Sequence, residues 1–271
     1  MTYEDIIYDR DDSGIVTITI NRPDKLNAFR SETVDELIDA FGAAWRDRGC
    51  GVVILTGAGE RAFCVGGDQT ARGEGGGYGP GPGKTGAKHD VGIDIEDLHT
   101  LIRDIPKPVI AAVNGYAIGG GHVVHVLCDL TIAADHARFG QVGPKVGSVD
   151  PGFGTAYLAR VVGQKKAREI WYLCRQYSAE EALAMGLVNK VVPADEVLDA
   201  ALSWAAEFAR GPLMAHALAK SAVDEGLEGT LAAGLDVEQV AFNAVARTED
   251  AARGIASFVE NGPGKATFVG R

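Results

Sequence analysis

Hydrophobic and polar positions along this chain switch between a period of two and a period near 3.6, and the switches mark its elements. Residues 14–20 (GIVTITI) alternate as a strand does and end in the turn residues Asn21, Arg22, Pro23 and Asp24. Over 31–45, Val34, Leu37, Ile38, Phe41 and Trp45 recur at helical spacing, with Ser31 as the candidate N-cap. Two continuous apolar runs, 52–56 (VVILT) and 109–113 (VIAAV), have the character of strands buried on both faces. The spacing predicts a helix over 93–105, stopped by Pro106 and Pro108. Gly119, Gly120 and Gly121 open an apolar helical stretch to about 126, and 130–134 returns as a strand. Residues 168–173 sit in an amphipathic helix. From 179 onward the pattern reads as helical throughout, in segments 179–185, 194–210, 212–225 and 231–247. No internal repeat of fixed period is present. The pattern therefore predicts an α/β fold with a helical C-terminal piece.

Composition removes several alternatives. Lys and Arg number 26 against 37 Asp and Glu, giving a formal charge of −11, which disfavours nucleic-acid and anionic membrane-surface partners. The apolar window 109–134 raises the question of a membrane helix, but Asn114, three glycines, His122, His125 and Asp129 interrupt it. Cys50, Cys64, Cys128 and Cys174 show no C-x-x-C spacing, so neither a zinc knuckle nor a disulfide framework is expected. Scattered thiols and an N-terminal stretch without a long apolar run lead to the expectation of a cytoplasmic protein. His122 and His125 stand at i, i+3 with Asp129 beyond, a loose ligand pattern better read as core histidines, and no metal is expected.

Glycine is over-represented, at 36 of 271 residues. Eight of them fall between Gly73 and Gly86, which predicts a surface loop. A phosphate-binding loop ending at Lys84-Thr85 would need glycine where Tyr78 stands, and the G-x-G-x-x-G at 81–86 follows no strand. No G-x-S-x-G elbow supports a serine hydrolase. Lys165, Lys166 and Arg168 read as a solvated helix face.

Two other glycine groups carry chemistry. Gly119-Gly120-Gly121 stands where a helix begins, and a helix start leaves backbone N–H groups without acceptors. Gly66-Gly67-Asp68 follows the strand-like Ala62-Phe63-Cys64. Donors from two such loops can converge on one oxygen and stabilise an oxyanion.

The segments 20–29 (INRPDKLNAF), 62–68 (AFCVGGD), 108–121 (PVIAAVNGYAIGGG) and 128–135 (CDLTIAAD) together resemble the crotonase (enoyl-CoA hydratase/isomerase) superfamily. The resemblance spans about residues 3–258 and implies a spiral core of ββα units over 1–200 with a helical C-terminal trimerisation region over 201–271, in trimers that often pair into hexamers. It implies no prosthetic group and an acyl-CoA substrate whose thioester oxygen lies between the backbone N–H groups of Gly67 and Gly120. Lys25, Leu26, Ala28, Gly66, Asp68 and Gln69 match positions lining the CoA site.

The two glutamates with which hydratases activate water fall at Val123 and Gly143, neither of which moves a proton. Simple hydration is therefore not expected. Instead, 139–154 (FGQVGPKVGSVDPGFG) and 160–171 (RVVGQKKAREIW) resemble 2-ketocyclohexanecarboxyl-CoA hydrolase, which opens a ring, and 1,4-dihydroxy-2-naphthoyl-CoA synthase, which closes one. Ser148-Val-Asp150-Pro151 is similar to the hydrolase, and His122-Val-Val-His125 to the synthase. The resemblance gives Asp150 the proton transfer and Ser148 a hydrogen bond to substrate or water. In one class of the synthase, bicarbonate is the base; Gln141, Gly143 and Trp171 match its site. Tyr78 corresponds to a tyrosine that closes over the substrate. The relatives also carry a tyrosine in the C-terminal helix, absent from 242–249 (FNAVARTE), where Asn243 is the candidate substitute. An alternative of another class is a non-catalytic binding or scaffold protein of the same fold, which the charge and the intact donor pair disfavour.

Overall fold

A computed structural model describes residues 2–70, 95–150 and 152–270; Tyr78 and the 73–86 glycine segment lie outside the described residues. Strands β1 (Ile6–Arg10), β2 (Ile15–Ile20), β3 (Val52–Gly57), β5 (Val109–Val113), β7 (Leu130–Ala134) and β10 (Lys190–Val192) form one sheet in that spatial order. β1 runs antiparallel to β2, and every later neighbour is parallel. A second sheet takes β4 (Ala62–Cys64), β6 (Tyr116–Ile118), β8 (Arg138–Gly140) and β9 (Tyr177–Ser178), again in chain order. The helices among the described residues are α1 (Ser31–Arg46), α2 (Ile95–Asp104), α3 (Gly120–Leu127), α4 (Ala156–Leu173), α5 (Ala179–Ala184), α6 (Val197–Ala209), α7 (Leu213–Glu228), α8 (Leu231–Val245) and α9 (Glu249–Asn261).

The order has a strict logic. β3 then β4, β5 then β6, and β7 then β8 each place one strand in the first sheet and the next in the second. Helices α2, α3 and α4 follow these pairs in turn, giving the ββα spiral that the resemblance implies. β3 and β5 are buried along their full length, as strands covered on both faces must be. α6 lies against β2, β3, β5 and β7, and its fully buried Ala201 and Ala205 let the helix approach the sheet closely.

The predicted elements at 14–20, 31–45, 52–56, 109–113 and 130–134 are all present within a residue or two. Three differences have physical causes. Ser31 is the first helical residue and Arg30 the cap, because Arg30 N–H bonds Thr33 Oγ1 and the Thr33 hydroxyl is held by buried Asp5. The chain after 179 is interrupted by β10, three residues whose strand form comes from pairing with β7 rather than from any periodicity of their own. The short strands β6, β8 and β9 likewise take their form from their neighbours. α9 lies beyond the predicted helices; its N-cap Thr248 accepts from Ala251 N–H.

Candidate active site

Three loops that leave equivalent ends of β4, β6 and β8 meet at one place. The first is Gly66-Gly67-Asp68. Phe29 N–H bonds Gly66 O at 2.9 Å and Asp68 N–H bonds Phe29 O at 2.8 Å, so the bridge clamps the loop while leaving Gly67 N–H out of it. The second is Gly119-Gly120, where α3 starts and where the Gly120 N–H has no acceptor within the helix. The loops touch: a Cβ on Gly66 would stand 2.8 Å from Gly120 N, and Gly66 has φ +87°, a conformation that favours glycine. A Cβ on Gly120 would strike the Phe29 ring at 2.7 Å. These glycines are needed for close approach as well as for turning.

The predicted CoA-side residues gather beside this contact. Arg22 donates to Ala28 O and pairs with Asp68 Oδ2 at 3.1 Å, tying the 22–28 turn to the 66–68 loop. Asp68 Oδ1 also accepts from Thr70 N–H and its hydroxyl, so this carboxylate holds the loop together. Gln69 Nε2 donates to Gly67 O. Leu26 sits at φ 53°, and Lys25, which ends the short turn of helix before it, is exposed.

The third loop follows β8 and carries Gln141, Gly143, Ser148 and Asp150. Ser148 N–H bonds Gly143 O at 2.8 Å, folding the loop on itself. A Cβ on Gly143 would lie 2.7 Å from Ser148 O and 3.2 Å from the Trp171 ring, so this loop conformation admits no side chain there. Gly154 is packed between Asp150 and Val123: its Cβ would stand 3.1 Å from Val123 Cγ2 and 3.3 Å from Asp150 Cβ. Asp150 thereby lies beside the first turns of α3, the helix that begins at Gly120. Trp171 donates its indole N–H to Gly154 O at 3.0 Å. Gln141 is fully buried, and neither end of its amide has a partner among the described residues.

The remaining sequence candidates separate from this centre. Asn243 is exposed on α8 and accepts from Gln239. His122 and His125 are buried with rings 5.0 Å apart, and burial pushes His122 down to about 4 and His125 well below its usual value. Asp129 takes no part with them; it accepts from Val109 N–H and pairs with Lys220. Two residues close to the centre escaped the sequence reading. His99 Nδ1 donates to Gly152 O at 2.8 Å, and the Arg103 guanidinium lies 4.9 Å from the ring centres of both Phe153 and Tyr157. Their signal was present: both are polar residues on the face of α2 that also buries Leu98 and Ile102.

The site stands on a two-sheet ββα spiral, where paired glycines at the ends of β4 and β6 meet beside a carboxylate. The family model described as Enoyl-CoA hydratase/isomerase matches residues 10–269, and the chain belongs to this family. Solved structures agree. An enoyl-CoA hydratase from Bacillus anthracis is 33% identical with a TM-score of 0.87, over 99% of this chain and 100% of that one. An enoyl-CoA hydratase subunit I from Geobacillus kaustophilus HTA426 is 29% identical, also with a TM-score of 0.87, over 99% of both chains.

Proposed function

We propose that this protein is an acyl-CoA C–C bond hydrolase that opens an alicyclic β-keto thioester ring. The observation that carries the reading is the exchange of carboxylates around the glycine pair. The two hydratase glutamate positions hold Val123 and a Gly143 with no room for a side chain, while Asp150, further along the Gly143 loop, packs beside Val123. The CoA thioester oxygen accepts from Gly67 and Gly120 N–H, where negative charge develops. Water adds to the ring ketone as its proton passes to Asp150, with Ser148 holding the water or the ketone. The bond between the former ketone carbon and the α-carbon then breaks. Its electron pair enters the thioester enolate, and Asp150 returns the proton to the α-carbon. The net change is the addition of one water.

The test is mass spectrometry of 2-ketocyclohexanecarboxyl-CoA with the wild type and Asp150→Asn. Gain of one water, reduced at least about 100-fold in the variant, supports the reading; an unchanged substrate mass with the wild type overturns it.

One observation favours a second reading, 1,4-dihydroxy-2-naphthoyl-CoA synthase. The buried amide of Gln141, without a partner among the described residues, offers an N–H donor to a small oxyanion, and two residues on, Gly143 lies against the Trp171 ring. These residues fit bicarbonate, which would supply a base, with Gln141 holding it and the Trp171 ring packing alongside. Bicarbonate-dependent ring closure of succinylbenzoyl-CoA distinguishes this reading.

In either case the protein works as a homotrimer or a dimer of trimers through 201–271. Val240, Phe242, Ile255, Phe258 and Val259 are exposed there, a large apolar area for a lone chain to leave in water. Four free buried cysteines suit a reducing cytoplasm.

A further inference from the structure

The Asp150 loop is shaped by a helix that contributes nothing to the reaction directly. Gly152 and Phe153 are consecutive residues at φ +64° and φ +69°, and a left-handed pair of this kind persists only where neighbours hold it. Both holds come from α2. His99 is 1% exposed and its Nδ1 donates to Gly152 O at 2.8 Å, two residues from Asp150. The fit is close: a Cβ on Gly152 would lie 2.6 Å from His99 Nδ1 and 3.2 Å from Glu96 Cγ. One turn further along α2, Arg103 covers the Phe153 and Tyr157 rings, and is itself tied to Glu228 at 2.6 Å and to Asp224 at 3.6 Å on α7.

His99 Nε2 is buried without a partner among the described residues. An apolar side chain of the same size would pack there without that unmet group, so the imidazole is explained by its one hydrogen bond among the described residues, to Gly152. Burial holds His99 at about 4, so it is neutral at ordinary pH and carries a single ring proton. That proton sits on Nδ1, facing the carbonyl.

We propose that His99, backed by Arg103, is a positioning residue that sets the Asp150 carboxylate against the substrate α-carbon by fixing Gly152 and Phe153. The inference rests on the proton-transfer role given to Asp150. It extends that role to residues that never touch substrate, and makes turnover depend on a hydrogen bond rather than on added binding.

The test isolates proton transfer from ring opening. Cyclohexanecarboxyl-CoA lacks the ketone, so deuterium entering its α-carbon from D2O reports enolisation alone: the α-proton passes to Asp150, exchanges with solvent, and a deuteron returns. Wild type, Asp150→Asn, His99→Leu and His99→Asn are compared for kcat, KM and melting temperature. His99→Asn keeps an N–H near the position of Nδ1, whereas His99→Leu keeps only bulk. The expected result is a kcat for His99→Leu lowered about 100-fold with KM within about twofold, and most of the rate restored in His99→Asn. Wild-type exchange in His99→Leu overturns the inference, as does equal loss in both variants in step with melting temperature. Exchange in Asp150→Asn at the wild-type rate, or none in the wild type, overturns instead the role of Asp150 on which the inference stands.

Discussion

Gly66 and Gly120 are packed so tightly that a single methyl group on Gly66 would stand 2.8 Å from the Gly120 nitrogen. The contact joins the ends of β4 and β6, and it leaves the donors of the candidate oxyanion pocket no freedom to separate without breaking the fold around Phe29. Gly66→Ala must therefore push the loops apart as well as strain a backbone at φ +87°. Turnover is expected to fall about 100- to 1,000-fold, the cost of losing one such donor. Steady-state kinetics and calorimetric CoA-thioester binding check this. Unchanged kcat would show that the contact is only structural.

Lys220 anchors α7 by donating to Asp129 at 2.9 Å and to the carbonyls of Ile102 and Lys107. Lys220→Met leaves the exposed Asp129 carboxylate without its cation and is expected to cost about 1 kcal/mol of stability. Adding Asp129→Asn removes that stranded charge, so the double variant should recover part of the loss in a urea-unfolding cycle. Strict additivity would mean that the pair does not interact.

The buried histidines predict acid sensitivity above the carboxylate range. Burial lowers His99 and His122 from 6.5 to about 4, and His125 well below 6.5. Between those values the unfolded chain binds protons that the folded one does not. Stability therefore falls as pH drops from 6.5 toward 4, by up to about 1.4 kcal/mol per pH unit for each histidine. Melting temperature against pH should show this decline, and His125→Leu should flatten it. A slope that the substitution leaves intact would assign the decline to other groups.

A second acid transition belongs to Asp5. Its burial raises the pKa, but hydrogen bonds from Arg30 and Thr33 and the charges of Arg30 and Arg22 outweigh that and hold it below 3.8. Its contribution is complete above 3.8 and is lost as pH falls through the lowered value. Asp5→Asn should weaken the α1 N-terminus at pH 7 and remove the step below pH 3.8, as followed by circular dichroism. Persistence of that step in Asp5→Asn would contradict the assignment.

Trp171→Phe removes the N–H that reaches Gly154 O and, with the pyrrole half of the indole, part of a buried side chain. A buried carbonyl left unmet costs about 1–3 kcal/mol, and because Gly154 packs on Asp150 the change should also lower kcat. Equal kcat in wild type and variant would confine the bond to stability.

The sequence made the buried strands legible because their residues are apolar without interruption, and it made the glycine pairs legible because a specific family resemblance surrounds them. β6, β8, β9 and β10 were hidden for the opposite reason: at two or three residues each they contain no periodicity, and only the neighbouring strands give them form. Arg30 displaced Ser31 as the α1 cap because of a partner, Asp5, that lies 25 residues away. His99 and Arg103 could be seen only as polar residues on an apolar helix face; their use depends on the conformation of Gly152 and Phe153, which no local pattern encodes. Asp150 was visible by resemblance, and its packing against Gly154 and Val123 only in three dimensions.

The strands of the larger sheet lie side by side in the order in which the chain presents them, β1, β2, β3, β5, β7 and β10. Each strand leaving the ribosome thus finds its hydrogen-bonding template already made on the N-terminal side, and none has to be inserted between two earlier ones. The unpaired edge of the nascent sheet advances one strand at a time and comes to rest on β10, an edge strand of only three residues. A stalled or truncated product would carry one raw apolar edge, whatever its length, and the hazard of aggregation during synthesis travels along the chain until residues 190–192 arrive.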